Sequence, residues 1–140
     1  MIVLDTNVIS AVMERDQQLG VISWLDLRVI EEICTTTINI QELWFGLGKL
    51  PSGKRKAALS ESLEDAIALI GDRILPLDVE SARASGYLQA RQQRKGRPIA
   101  LGDSLIAGIA LSRGARLATR NVRHFVGLGL DIINPWDHVP

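Results

Sequence analysis

The stretch Met1-Ile2-Val3-Leu4-Asp5-Thr6-Asn7 decides the fold that we predict for this chain. Its apolar residues indicate a short buried strand, and the acid Asp5 comes where that strand ends and a helix begins. In parallel α/β sheets, ligands bind outside the carboxyl ends of the strands. The sequence therefore predicts that Asp5 faces a binding site and that Thr6 and Asn7 hold its carboxylate in place.

Two further acids take comparable positions. Glu42 follows the strand-like segment Ile33–Thr37, and Asp103 opens an apolar helix. Three carboxylates at one edge of a sheet repel one another unless a cation lies between them. Because ligand sets made only of oxygen favour hard metals, the sequence predicts a site for Mg²⁺ or Mn²⁺ bound by Asp5, Glu42 and Asp103.

Glu42 and Asp103 each have an alternative structural role. The segment from Asn39 to Glu42 fits a capping box, in which Asn39 caps a helix and Glu42 reaches back to a backbone N–H. An acid in a first helical turn, such as Asp103, is favoured by the helix dipole. Asp103 also shares a helix face with apolar residues three, four and seven positions later, where an acid near the core needs a partner. Both roles stay open for Glu42, and a metal ligand is favoured for Asp103.

The composition indicates one globular domain over residues 1–140. Of these residues 46% are hydrophobic, which is enough for a core. No apolar stretch reaches the roughly 18 residues of a membrane span, and the first apolar run stops at Asp5, too early for a signal peptide. The single cysteine, Cys34, excludes an internal disulfide bond. We therefore expect a cytoplasmic protein with no membrane partner.

The net charge of zero hides an asymmetry between two parts of the chain. Residues 1–82 contain 13 acidic and 7 basic residues, whereas residues 83–140 contain 3 acidic and 9 basic residues. The basic residues are either solvated helix ends or a rim that binds a phosphate backbone. The candidate contacts to nucleic acid in the second interpretation are Arg91, Arg94, Lys95, Arg97, Arg120 and Arg123.

Short apolar segments alternate with longer amphipathic segments, which indicates an α/β fold with a parallel sheet. The predicted strands are Ile2–Leu4, Ile33–Thr37, Ile74–Leu77, Leu117–Thr119 and Asp131–Ile133. The predicted helices are Val8–Met13, Leu19–Glu31, Ile40–Gly48, Lys54–Ile70, Val79–Gln93 and Ala100–Ser112.

Several motifs occur in one order along the chain. They are Asp5–Ser10, Asn39–Glu42, Gly96–Ile99 followed by Asp103, Ala118–Phe125 and Ile133–Trp136. Together they resemble the PIN-domain toxins, the VapC-type ribonucleases of the FitB-like branch, over essentially the whole chain. The resemblance implies a three-layer α/β/α sandwich around a short parallel sheet. It also implies a Mg²⁺-dependent ribonuclease of a type II toxin–antitoxin pair, silenced by a cognate antitoxin and forming a homodimer or a higher toxin–antitoxin assembly.

The resemblance places Asp5, Glu42 and Asp103 in the acidic metal site of that family, but the fourth corner departs from the pattern. Family members often carry an aspartate at the place of Asn121 or His124, and neither residue here is an acid. Asn121 can offer a carbonyl oxygen or hold a water, and His124 can be a ligand, a phosphate contact or a surface residue. We include both as supporting residues. Thr119, which begins the same stretch, is a further supporting residue.

These residues predict the hydrolysis of RNA phosphodiesters by a metal-activated water. Asp5 and Asp103 hold the ion, and Glu42 binds it through water or orients the nucleophile. Two alternatives stay open. The first is a non-catalytic RNA-binding module with the same fold. The second is a phosphohydrolase for small phosphate esters with Asp5 as nucleophile, although no phosphate-clamping lysine follows the third predicted strand.

Overall fold

Short strands and helices alternate along the chain in the computed structural model, which describes residues 1–14 and 18–140. The strands are β1 (Ile2–Leu4), β2 (Ile33–Thr36), β3 (Ile74–Leu75), β4 (Arg116–Ala118) and β5 (Ile132–Ile133). The helices are α1 (Thr6–Met13), α2 (Leu19–Asp26), α3 (Thr37–Gly48), α4 (Lys54–Ile70), α5 (Val79–Arg94), α6 (Leu101–Ser112) and α7 (Val122–Phe125). Short 3₁₀ turns cover Ile30–Glu32, Gly71–Arg73 and Pro135–Asp137.

The strands form one five-stranded parallel sheet with the order β3-β2-β1-β4-β5. β1 lies at the centre, where Val3 is paired with Cys34 of β2 on one side and with Leu117 of β4 on the other. The N–H of Asp5 donates to the carbonyl of Ala118 at 2.9 Å, which continues the β1–β4 pairing one residue beyond the strand. The carboxyl ends of β1, β2 and β4 therefore meet at one edge of the sheet, as the sequence predicts for a site.

Successive residues of β1 face opposite sides of the sheet. Ile2 and Leu4 pack with buried residues of α1, α2, α3 and α4, whereas Val3 packs with buried residues of α5, α6 and α7. Helices therefore cover both faces of the sheet, and the predicted three-layer α/β/α sandwich is confirmed. Among residues 1–14 and 18–140, no helix is both long enough and apolar enough to cross a membrane.

Helices α5 and α6 pack unusually closely at Gly108. A Cβ atom built on Gly108 would lie 2.7 Å from the carbonyl oxygen of Ser81 and 2.8 Å from the Cβ of Ser85. Only glycine fits at this distance. One helical turn closer to the start of α6, the hydroxyls of Ser85 and Ser104 are 3.3 Å apart and hydrogen-bonded. The beginning of α6, which carries Asp103, is therefore held against α5.

Two boundaries differ from the prediction for a clear physical reason. α2 ends at Asp26 and not at Glu31, because Val29 is extended (φ −81°, ψ 137°) and a 3₁₀ turn then leads into β2. β3 ends at Leu75 and not at Leu77, because Pro76 has no N–H to donate to a neighbouring strand. Most other predicted ends agree within two residues. The four-residue helix α7 was not predicted, since it is too short for a periodic pattern.

The predicted capping box at Asn39 is wrong. α3 begins at Thr37, and its N-cap is Thr36, whose hydroxyl oxygen accepts from the N–H of Asn39 at 3.2 Å. Asn39 therefore lies inside the first turn of the helix. This position frees the Asn39 and Glu42 side chains for other contacts.

Candidate metal centre

The carboxylate of Asp5 is buried at the end of β1, with only 4% of the residue exposed. Its Oδ1 accepts from the N–H of Thr6 at 2.8 Å and from the amide of Asn39 at 3.1 Å. Its Oδ2 accepts from the hydroxyl of Thr119 at 2.6 Å and from the amide of Asn7 at 3.2 Å. Four donors from three segments of the chain thus stabilise the negative charge and fix the direction of the carboxylate.

Asn7 and Thr119 also fix the loop that follows β4. The Asn7 amide nitrogen donates to the Thr119 hydroxyl at 3.3 Å, and its carbonyl oxygen accepts from the N–H of Arg120 at 3.1 Å. The N–H of Asn121 donates to the same hydroxyl at 3.0 Å. The structure therefore connects Asn121 to the site through its backbone, while its side chain is exposed.

Asn39 is a site residue that the sequence analysis missed. It is completely buried, and its amide nitrogen donates both to Oδ1 of Asp5 and to the hydroxyl of Thr6, each at 3.1 Å. Its carbonyl oxygen accepts from the hydroxyl of Thr36 at 2.6 Å. The available signal was its spacing, because Asn39 precedes Glu42 by three residues and so shares its helix face.

Glu42 lies one turn further along α3 and faces the same space. Its Oε1 accepts from the hydroxyl of Thr6 at 3.0 Å. Its Oε2 lies 3.7 Å from the position that a Cβ on Gly102 would occupy, which places Glu42 beside the start of α6. Burial raises the pKa of Glu42 above its ordinary value. The hydrogen bond from Thr6 opposes this shift, and the negative charges of Asp5 and Asp103 add to it.

Asp103 lies in the first turn of α6 and contacts His124 from α7. The distance between its Oδ2 and Nδ1 of His124 is 3.1 Å. The Asp103 side chain is 22% exposed and that of His124 is 52% exposed. Burial raises the pKa of Asp103, the nearby His124 lowers it, and the charge of Asp5 raises it further. Asp103 is thus within the electrostatic reach of both other acids, although it makes its short contact to a histidine.

The donor set fits a hard divalent cation, because all three acids offer oxygen and two of them carry a raised pKa. A bound cation would stabilise the charged carboxylates against burial and mutual repulsion, and so would lower these pKa values. In the described ranges, however, no group of three or more His, Cys, Asp or Glu side chains is arranged to hold a metal ion as it stands. Each acid instead contacts its own protein partners, which for Asp103 is His124.

A cavity of about 330 Å³ adjoins Asp103. Its charged and polar lining comes from Arg97, Asp103, Arg123, His124 and the buried Gln92. Apolar walls come from Pro98, Ile99, Ala100 and Val126. We call this space the Asp103 cavity. Two of the predicted nucleic-acid contacts, Arg97 and Arg123, therefore lie directly beside a predicted metal ligand.

The other predicted basic residues do not share that cavity. Arg91 and Arg94 line a separate cavity of about 420 Å³ between α5, Leu111 and Leu128. Lys95 is exposed at the end of α5. The guanidinium of Arg120 lies 5.2 Å from the ring centre of Trp136. The structure thus divides the predicted basic rim into separate surfaces.

A protein-family model described as the PIN domain matches residues 2–126 of the chain. The chain belongs to the PIN domain family. The VapC ribonuclease Y4jK of Sinorhizobium fredii is 38% identical over 138 residues, which cover 98% of this chain and 99% of the relative. The toxin FitB of Neisseria gonorrhoeae is 35% identical over 137 residues, which cover 97% and 99% of the two chains.

Solved structures agree with this assignment. A chain in the structure of FitAB bound to an IR36 DNA fragment superposes with a TM-score of 0.90 at 33% identity, covering 100% of this chain and 98% of that chain. The family predicted from the sequence is confirmed, and so is its predicted fold. Within this PIN domain, Asp5, Glu42 and Asp103 come from the three elements that the sequence analysis assigned to them.

Proposed function

We propose that this PIN-domain protein is a metal-dependent ribonuclease that acts as the toxin of a type II toxin–antitoxin pair. One observation carries the proposal. Three partly or fully buried acids, Asp5, Glu42 and Asp103, converge at the carboxyl edge of a parallel sheet, and the pKa values of Glu42 and Asp103 are raised there by burial and by neighbouring acids. A divalent cation suits these oxygen ligands and would offset the repulsion among the three acids.

Asp5 and Asp103 would hold the metal, and Glu42 would complete the site directly or through a water. A bound Mg²⁺ or Mn²⁺ would supply Lewis-acid activation of a water and of the phosphate oxygens. Asp5 is the fixed member, because four hydrogen bonds hold its carboxylate. Burial raises the pKa of Glu42, which suits its carboxylate to accept a proton during the reaction.

Arg97 and Arg123 position the RNA. Both line the cavity beside Asp103, where their guanidinium groups can bind the phosphates that flank the scissile bond. These contacts fix the register of the strand without reading its sequence. Because Arg91 and Arg94 line another cavity, we assign them a weaker contribution to RNA binding.

We propose a cognate antitoxin as the protein partner and the cytoplasm as the site of action. An open acidic centre can be blocked by an arginine or lysine, whose head group bonds the same carboxylates that bind the metal. The similarity to a FitB toxin and to a chain of the FitAB complex supports such a partner. A homodimer of the toxin, within a larger complex, is part of the same proposal.

The test is RNA cleavage by the purified chain with Mg²⁺, with Mn²⁺ and with a chelator, beside a generic phosphomonoester. The Asp5→Asn protein is compared with the wild type. The matched control is Asp72→Asn, which changes an exposed acid in the 3₁₀ turn before β3. We expect metal-dependent cleavage of RNA by the wild type and the control, and at least about a hundredfold slower cleavage by Asp5→Asn.

Each other outcome contradicts a specific part of the proposal. RNA binding without cleavage in any metal would indicate a non-catalytic RNA-binding module. Hydrolysis of the phosphomonoester without RNA cleavage would indicate a small-molecule phosphohydrolase. Equal growth of cells that express the chain alone and with the adjacent open reading frame would argue against the toxin–antitoxin assignment.

A further inference from the structure

Among the described residues, Gln92 and Arg28 each have a buried polar side-chain atom without a hydrogen-bond partner, and that of Gln92 is its carbonyl oxygen. Gln92 is 7% exposed, and its Oε1 is buried without a hydrogen-bond donor among the described residues. It occupies the inner face of α5 together with Ser81, Ser85 and Leu88. An apolar side chain at this position would avoid the cost of a buried, unpaired carbonyl oxygen. Packing of the helix alone therefore does not explain a glutamine at this position.

The neighbouring cavity offers an explanation. Gln92 lines the Asp103 cavity together with Arg97, Arg123 and His124. Gly96, at φ +71°, turns the chain at the end of α5, and the N–H of Arg97 then donates to the carbonyl of Gln92 at 2.9 Å. This turn fixes Arg97 next to Gln92. The cavity thus combines two guanidinium groups for phosphate, an amide, and the apolar side chains of Ile99 and Val126.

We infer that the Asp103 cavity is a nucleotide subsite in which the Gln92 amide reads the base beside the scissile phosphate. The inference rests on the proposed ribonuclease function and makes Gln92 the residue that sets its base preference. A carboxamide offers a donor and an acceptor side by side, which is the pattern that pairs with one edge of a base. Since Oε1 has no hydrogen bond where it lies, turning the amide towards a base sacrifices none.

The rest of the cavity suits a nucleotide. Its volume of about 330 Å³ is at the lower end of the range of small-ligand sites, about 300–1,000 Å³. Apolar side chains can cover the faces of an unstacked base, as in other sites for single-stranded RNA. Arg97 and Arg123 supply the phosphate contacts, and Asp103, which would hold the metal, lines the same cavity. The base is therefore read at a fixed distance from the cut.

The test is cleavage of an RNA with a randomised central segment, followed by sequencing of the cut ends. The nucleotide frequencies on each side of the cut give the base preference of the enzyme. Gln92→Met keeps the length of the side chain and removes both hydrogen-bonding groups, whereas Gln92→Glu keeps an acceptor and removes the donor. Gln93→Met changes the exposed neighbour and is the matched control.

We expect the wild type and Gln93→Met to prefer one base at one position next to the cut. Gln92→Met should weaken this preference about tenfold, the usual contribution of one bidentate pair, and Gln92→Glu should change which base is preferred. Arg97→Gln should slow cleavage of all sequences alike, because a phosphate contact carries no sequence information. Hydrolysis of bis(p-nitrophenyl) phosphate, which has no base, should fall less in Gln92→Met than cleavage of the preferred RNA does.

An unchanged base preference in Gln92→Met and Gln92→Glu, with RNA cleavage intact in the wild type, would overturn this inference and leave the ribonuclease proposal standing. If Gln92→Met does not fold, as measured by circular dichroism, the Gln92→Glu preference decides. A wild type that cuts no RNA with either metal would instead overturn the proposed function and this inference with it.

Discussion

His124 places its Nδ1 3.1 Å from Oδ2 of Asp103, so an imidazole contacts the acid that opens α6. His124 occupies one of the two positions at which the sequence analysis expected an aspartate from the family pattern. A histidine here partly offsets the charge of Asp103, and its positive charge, when present, competes with a cation for the same oxygen. We therefore expect His124 to weaken the attraction of the proposed site for a metal ion.

We expect His124→Asp to bind Mg²⁺ more tightly than the wild type does. The substitution removes a competing donor and adds a fourth carboxylate near Asp103. Without metal, the variant should melt at a lower temperature, because another acid joins a repulsive cluster. Thermal melts across a Mg²⁺ titration measure both effects. An Asn121→Asp variant compares the neighbouring position, and equal metal dependence of His124→Asp and wild type would contradict the role of His124.

The stability of the metal-free protein should decrease as the pH rises above the ordinary carboxylate range. Glu42 and Asp103 have higher pKa values in the folded protein than in the unfolded chain. At a pH between the unfolded and the folded pKa values, the folded state therefore binds more protons than the unfolded state. Stability from these groups is therefore present at low pH and is lost as the pH passes through the folded pKa values. Melts of the wild type and of the Glu42→Gln/Asp103→Asn double variant should differ in this slope. A slope that is the same in both proteins would exclude these two acids as its cause.

Asn39→Asp should strongly destabilise the protein, although the two side chains have almost the same size and shape. The amide nitrogen of Asn39 donates to Asp5, and an acid there would place a second buried negative charge against the first. We expect a loss of about 3–5 kcal/mol in the free energy of unfolding at neutral pH. Gln41→Glu makes a similar amide-to-acid change at an exposed position of the same helix and should cost little. Urea denaturation measures the difference, which should shrink at acid pH.

Gly108→Ala should lower the free energy of unfolding by about 1–3 kcal/mol, because the new methyl would overlap the backbone and side chains of α5. Gly86→Ala is the matched control, since a Cβ there meets nothing within 4 Å. Alanine is the better helix former, so Gly86→Ala should stabilise α5 by up to about 1 kcal/mol. Denaturant titration of both variants tests this, and similar effects of the two would contradict the close packing.

Neutralising Arg97 and Arg123 together should weaken RNA binding more than neutralising Arg91 and Arg94 together. The first pair lines the Asp103 cavity and the second pair lines another one. Loss of two phosphate contacts should reduce the slope of log affinity against log salt by about 1.4 for single-stranded RNA. Binding assays over a range of salt concentrations, with a chelator to prevent cleavage, give both slopes. Equal slopes for the two double variants would contradict the division of the basic surface.

The sequence singled out Asp5 and Asp103 as candidates because each is a charge placed directly against apolar sequence, which needs a compensating partner. It did not reveal Asn39, because an amide near the start of a helix matches a common cap equally well. The end of α2 was also hidden, since neither glycine nor proline marks it. The basic rim was divided only by the fold, because the left-handed turn at Gly96 sends Arg97 to a different side from Arg91.

The central position of β1 has a consequence for the synthesis of the protein. Asp5 follows β1, but the hydroxyl that bonds its Oδ2 belongs to Thr119, which is synthesised 114 residues later. Thr119 directly follows β4, which pairs with β1 in the sheet. A nascent or prematurely terminated chain therefore has the acids without the frame that aligns them. The carboxylate of Asp5 is therefore aligned only after β4 and Thr119 have been translated.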